Sequence, residues 1–289
     1  MWVILFFFGA ALGSFLNVIA VRYDPDSFLL SRRVVGGRSH CPFCRRHLRW
    51  FELIPVVSFL IQRGRCRTCG HGLSIQYLVV EVLTGAIFVV VPLYLRTHFF
   101  LLFSTFSPAL FAIQAALWIA VFVALLLLAL VDIRLMLIPD EINVFLGAAG
   151  LIALFAAPPI HSVTQGSFLR SYALLFGVAG PPWANHIMGA FLAAAFFGAF
   201  VALSRGKWMG FGDVKFGAAL GFLFGWPDIA LVLGSAFVLG SLVGIVALGR
   251  REKTMKSLLP FGPFLALGAA AVFFFGYEIV HWYFTLFRL

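Results

Sequence analysis

The sequence predicts an all-α polytopic membrane protein of about eight transmembrane helices, with one small polar loop between helices 1 and 2. Three observations predict it. Hydrophobic residues make up 62% of the 289 positions and charged residues 11%, at a mean hydropathy of +1.03, which excludes an ordinary soluble domain. Apolar windows near the ~20 residues that cross a ~30 Å hydrocarbon core fall at 1–21, 75–95, 108–131, 141–157, 186–204, 213–226, 228–248 and 261–287, of which 141–157 and 213–226 are short. All four cysteines lie in the single polar interval 22–74.

Basic residues in short loops stay on the cytoplasmic side of a membrane. With eight spans and the N-terminus outside, only Arg96, Arg170 and Arg288 of the 21 Lys and Arg fall outside. The polar loop is then cytoplasmic, and the net charge of +10 is chiefly a topology signal suited to a lipid bilayer. Nucleic acid is not an expected partner, because the basic residues scatter over several loops. No basic residue precedes Arg22, and the first apolar run is long, so the sequence predicts a retained helix rather than a cleaved signal peptide.

The first helix, 1–21, ends in GSFLNVIAVR, where Ser14 and Asn17 bond neighbouring helices or contribute to a ligand site. Residues 22–74 form a cysteine-rich domain. CPFC (Cys41, Cys44) and CRTC (Cys66, Cys69) are separated by 21 residues, the pattern of a four-cysteine, zinc-ribbon-like site in which each pair gives two thiolates to a tetrahedral metal. A disulfide pair is the alternative, disfavoured in a reducing compartment. Nearby His40, His47 and His71 read as surface residues, since four thiolates suffice. Between the pairs, Leu48–Cys66 is too short in apolar residues to span, carries a Pro55 break, and places Gly64 at the turn into the second pair.

Residues 75–107 give the second helix and an outer loop. Glu81 lies inside that helix, either paired with a polar neighbour or lining a binding site. Residues 108–289 form the main membrane domain. Its third span ends in ALVDIRLMLIPDEIN: Pro139 breaks the chain, Asp140 reads as the acid that starts the next helix, and Asp132 has no comparable structural role. The loop at about 158–185 is rich in Pro and Gly. GFGDVK follows the fifth span and sets Asp213 among glycines, whose lack of side chains would let a substrate backbone approach. RREKTMK, Arg250 to Lys256, reads as a cytoplasmic anchor, and LPFGPFLALG opens the last span.

A charge at membrane depth costs roughly 2.5–3.5 kcal/mol and is usually functional. Asp132 and Asp213 are 81 residues apart yet predicted at similar depth. Two such carboxylates share protons, leaving one as base to activate water and one as acid to protonate a carbonyl oxygen, which is amide hydrolysis without a covalent intermediate.

In order along nearly the whole chain, GSFLNV, SHCPFC, LIPVVSFL, GRCRTC, the VE of the second helix, LIPD, GFGDVK and PFGPFLALG resemble the bacterial type IV prepilin leader peptidases, membrane aspartic peptidases of the GxGD type that also N-methylate their product. The resemblance implies cleavage of short basic leaders from prepilins and pseudopilins at the cytoplasmic face of the bacterial inner membrane. Methylation of the new N-terminus with S-adenosyl-L-methionine would follow. It implies Asp132 and Asp213 as the catalytic pair, and Gly64, with Glu81, on the methylating side. Phe211 fills the variable position of GxGD; Arg134 and Leu135 depart from the family's usual residues without touching the pair. No glycine-rich Rossmann strand marks a methyl-donor site. A peptidase lacking methylation, an ion-coupled transporter with a metal-sensing loop, and a noncatalytic assembly scaffold are the alternatives; two intact aspartates together with both cysteine pairs favour the enzyme.

Overall fold

A computed structural model describes residues 1–98, 108–155, 167–176, 181–250 and 259–287. The chain divides into two compact units, Met1–Phe100 and Leu101–Leu289. The predicted outer-loop positions 158–166 and 177–180, and 251–256 of the basic anchor, lie outside the described residues.

The first unit contains α1 (Trp2–Arg22), α2 (Arg32–Val35), a 3-10 turn (Trp50–Leu53), α3 (Val57–Ile61) and α4 (Ile75–His98). Helices α1 and α4 pack along one another. Lipid tails are as apolar as leucine, so such helices gain from close van der Waals contact, which small residues allow. At Gly13 an added Cβ would lie 2.8 Å from Thr84 Oγ1 and 2.9 Å from Glu81 Cα.

The second unit contains α5 (Pro108–Leu135), α6 (Asp140–Phe155), a 3-10 turn (Arg170–Phe176), α7 (Pro182–Ser204), α8 (Phe211–Phe224), α9 (Asp228–Gly249) and α10 (Gly262–Phe287). Helix α8 packs against α7 and α6, and α10 against α9 and α5. The α7–α8 contact is backbone on backbone, because a Cβ at Gly221 would lie 2.3 Å from the Gly189 carbonyl oxygen. Trp118 anchors an aromatic core, its ring 4.7 Å from Phe273, 5.2 Å from Phe168 and 5.5 Å from Phe224. Beside that core, Asp228 at the start of α9 is buried. It accepts bonds from the Ser167 hydroxyl at 2.7 Å and the Phe168 N–H at 3.0 Å, which holds segment 167–176 in place.

A helix lies in each of the eight windows predicted to span, and among the described residues six helices are long and apolar enough to cross a membrane. The exceptions are α6, of 16 residues, and α8, of 14. Helix α6 is described as far as Phe155, and α8, at 1.5 Å per residue, reaches about 21 Å, short of a ~30 Å core. In α8 the limit is set by backbone chemistry. The helix cannot begin before Gly210, and it ends at Gly225, whose φ of 74° leaves the helical region. Among the described residues, length and composition thus establish six of the eight predicted spans and do not establish the two at 141–157 and 213–226.

The Gly189–Gly221 approach predicts that Gly221→Val overpacks the α7–α8 interface at a cost of roughly 1–3 kcal/mol. Thermal unfolding in detergent should fall by several degrees, and an unchanged midpoint would contradict backbone contact there.

Candidate functional site

In the second unit, three helix ends bring the acidic residues together. Helix α5 stays apolar until Asp132, one turn before its end, and Met136 then turns the chain with φ 51°. Asp132 is 4% exposed. Its Oδ2 accepts the N–H of Gly262 at 2.9 Å. Gly262 is the first residue of α10, where the amide has no partner within the helix and the helix dipole favours a negative group. A Cβ there would lie 2.7 Å from Asp132 Oδ2 and 2.9 Å from Leu128 Cδ2, so any larger residue displaces the carboxylate from its place. One bond to a charged acceptor contributes about 1.5–3 kcal/mol, whereas burying a carboxylate costs several. Asp132 is thus retained at a net cost, as a functional charge would be.

Asp213 sits in the first turn of α8, half-buried. Its Oδ2 accepts the Gly210 N–H at 3.1 Å, so the carboxylate of GFGD caps its own helix. Asp132 and Asp213 are within direct electrostatic range of each other. A Cβ at Gly212 would face Ile138 at 3.5 Å, an ordinary contact with the LIPD segment. Asp140 does start α6, and Lys215 Nζ donates to both of its oxygens at 2.8 and 2.9 Å. Both side chains are well exposed, so the pair contributes about 0.2–1 kcal/mol and ties the start of α6 to that of α8.

In the first unit, the four cysteine Sγ atoms all lie within 4.8 Å of one another, with Cys41 and Cys69 at 3.9 Å. Thiolates at ~2.3 Å from a tetrahedral zinc stand about 3.8 Å apart, so the set fits that metal. The two halves are near copies. The Cys41 N–H donates to the Arg46 carbonyl and the Cys66 N–H to the His71 carbonyl, and the residue after each second cysteine, Arg45 or Gly70, has positive φ (55° and 67°). The Cys69 and Thr68 backbone N–H groups push the Cys66 thiol down to about 6, while its neighbour Cys69 is pushed up, so the pair favours one thiolate over two in the absence of a metal. His40, His47 and His71 are exposed, as predicted.

Glu81 and Gly64 also lie in this unit, beside a cavity of about 240 Å³. Glu81 is buried, and its Oε2 accepts the Val56 N–H at 2.7 Å. Gly64 has φ 65° and turns the chain after α3. Three features had no clear sequence signal: the Gly262 amide on Asp132, the Lys215–Asp140 pair and the Glu81–Val56 bond. The Pro and Gly of PFGPF hinted at the first alone.

Comparison with known proteins gives two adjoining family matches, the bacterial peptidase A24 N-terminal domain over residues 7–95 and the type IV leader peptidase family over residues 118–245. Among curated proteins named prepilin leader peptidase/N-methyltransferase, that of Bacillus subtilis (strain 168) is 31% identical, covering 97% of this chain and 96% of the relative. The protein from Burkholderia pseudomallei (strain K96243) is 33% identical over 93% of this chain and 83% of its own. That of Legionella pneumophila is 29% identical over 98% and 94%. No solved structure matches.

For the cysteine cluster, the expected outcome is about one zinc per purified chain by elemental analysis, lost on Cys41→Ser. Metal-free protein with a mapped disulfide within the cluster would contradict it.

Proposed function

The chain belongs to the type IV leader peptidase family, and on that premise we propose that it carries out both activities for which its curated relatives are named, prepilin leader cleavage and N-methylation. Asp132 and Asp213 are the cleaving pair. What carries this reading is their placement: two carboxylates from different helices, within electrostatic range, each bonded to a backbone amide rather than to a cation. Because like charges so placed share a proton, one carboxylate draws a proton from water as it attacks the scissile carbonyl carbon. The other, protonated, gives its hydrogen to the carbonyl oxygen and later helps the amine leave. The Gly262 and Gly210 amides hold the carboxylates in position through this exchange.

Residues 22–74 serve methylation, with Cys41, Cys44, Cys66 and Cys69 holding a structural zinc, and residues 108–289 serve cleavage, joined by the helices at 1–21 and 75–107. The separate family matches to the two halves support this division. The methyl donor implied by N-methylation is S-adenosyl-L-methionine, which supplies an electrophilic methyl group. Gly64 and Glu81 belong to that half. The enzyme lies in the bacterial inner membrane with its N-terminus outside and the aspartate pair near the cytoplasmic face, a placement supported by the Lys and Arg distribution. Its partners are prepilin or pseudopilin chains and the lipid bilayer.

Mass spectrometry of a prepilin incubated with the purified enzyme tests both halves. Loss of the leader is expected in buffer alone, and a further gain of one methylene only when S-adenosylmethionine is added. Asp132→Ala or Asp213→Ala should slow cleavage by roughly 100- to 10,000-fold in protein that still inserts; full processing by either would overturn the pair. Gly262→Ala, which displaces the Asp132 carboxylate, should cost roughly 100-fold.

A further inference from the structure

The 240 Å³ cavity of the first unit is built around a charge that nothing described there neutralises. Glu81 is 6% exposed and lines it. Its described partners, the Val56 N–H and the Ser14 hydroxyl, are neutral. Neither of the side-chain ion pairs found among the described residues includes Glu81. A second buried carboxylate on the wall, Glu52, does have a cation nearby, Arg46 at 3.8 Å, and accepts the Arg49 N–H at 2.8 Å. Arg22, the wall's own cationic side chain, is turned to the backbone carbonyls of Gly36 and Arg38. A buried carboxylate facing open space without a cation is costly and is well matched by a positively charged ligand.

The backbone that Glu81 holds, between the wall residues Leu53 and Ser58, is also strained. Val56 has φ 63° and ψ −53°, and the Val57 N–H reaches the Pro55 carbonyl at 2.6 Å, which is a γ-turn of the rare kind centred on a β-branched residue. Such conformations persist where surroundings over-determine them and cluster at ligand sites. The Glu81–Val56 bond is what over-determines this one. On the opposite side of the same segment Gly64 borders Phe59, another wall residue: a Cβ at Gly64 would lie 3.0 Å from Phe59 Cζ.

We propose that this cavity binds the cationic centre used in methylation, with the Glu81 carboxylate facing it and the Phe59 ring setting its size. This rests on the methylation reading above. The shared chemistry is a small organic cation, either the sulfonium of the methyl donor or the ammonium of the newly exposed N-terminus. The volume falls below the ~300 Å³ at which pockets enclose a whole drug-sized ligand, so the cavity takes the charged centre and its immediate substituents.

Equilibrium binding to the full-length, detergent-solubilised protein tests this. The probes are S-adenosylmethionine against its neutral thioether product S-adenosylhomocysteine, and a leader-cleaved product peptide against its N-acetylated copy. Glu81→Gln keeps a carbonyl oxygen for the Val56 N–H and removes only the charge. It should weaken one cationic probe by roughly tenfold or more while its neutral counterpart moves less than about twofold, which also reports an intact fold. A selective loss of S-adenosylmethionine identifies the sulfonium, and a selective loss of the free-amine peptide identifies the ammonium. Gly64→Ala, which crowds Phe59 and strains a backbone at φ 65° without touching the charge, should weaken the charged and neutral members of that pair alike. If Glu81→Gln shifts neither cation relative to its neutral partner, the proposal is wrong. If the wild-type protein binds no donor at all, the methylation reading fails with it.

Discussion

The peptidase-like half depends on the meeting of one carboxylate with one amide. Asp132 ends a long apolar helix in a buried position, and the Gly262 N–H at the start of α10 receives it. That contact joins the end of α5 to the start of α10, and a side chain at residue 262 would displace the carboxylate. It also places Asp132 within electrostatic range of Asp213, which caps α8 from inside its own first turn. The Gly189–Gly221 approach and the aromatic core around Trp118 hold the participating helices at fixed separations.

The first unit solves a similar problem in a similar way. Glu81, like Asp132, is a buried carboxylate received by a backbone amide from a distant segment, here Val56. An amide orients a carboxylate without neutralising it, whereas an arginine or lysine would satisfy the charge and leave it inert. Exposed carboxylates are treated differently: Asp140 takes Lys215, and that pair ties two helix starts together at little energetic consequence. Asp228 is also held by an amide and anchors segment 167–176, so an amide contact orients a buried acid whether its role is chemical or structural.

Much of this was legible in the residues. Asp132 and Asp213 stand out because an apolar run makes any charge conspicuous, and the two CxxC pairs announce a thiolate cluster through spacing alone. Helix positions followed from apolar windows: α8 is bounded by Gly210 and Gly225, with Lys207 just before it and Asp228 just after, so its shortness too is written in the residues. Contacts with backbone amides were the least legible. Gly262 lies 130 residues from Asp132, and any residue carries an amide, so no side-chain pattern marks the donor. The Val56 γ-turn is hidden for a related reason, since a valine would not be placed at positive φ by propensity. Asp228, which anchors segment 167–176, read simply as the start of a helix.

The central claim is that Asp132 and Asp213 act as one unit in cleavage, and comparing single and double substitutions tests it most directly. Leader-cleavage rates should be measured for Asp132→Asn, Asp213→Asn and the double variant under single-turnover conditions. Groups that act together are grossly non-additive. Each single change should therefore lose nearly all activity, and the double variant should be little slower than either. Losses that multiply in the double variant, or near-native cleavage by one single variant, would contradict a shared acid–base pair.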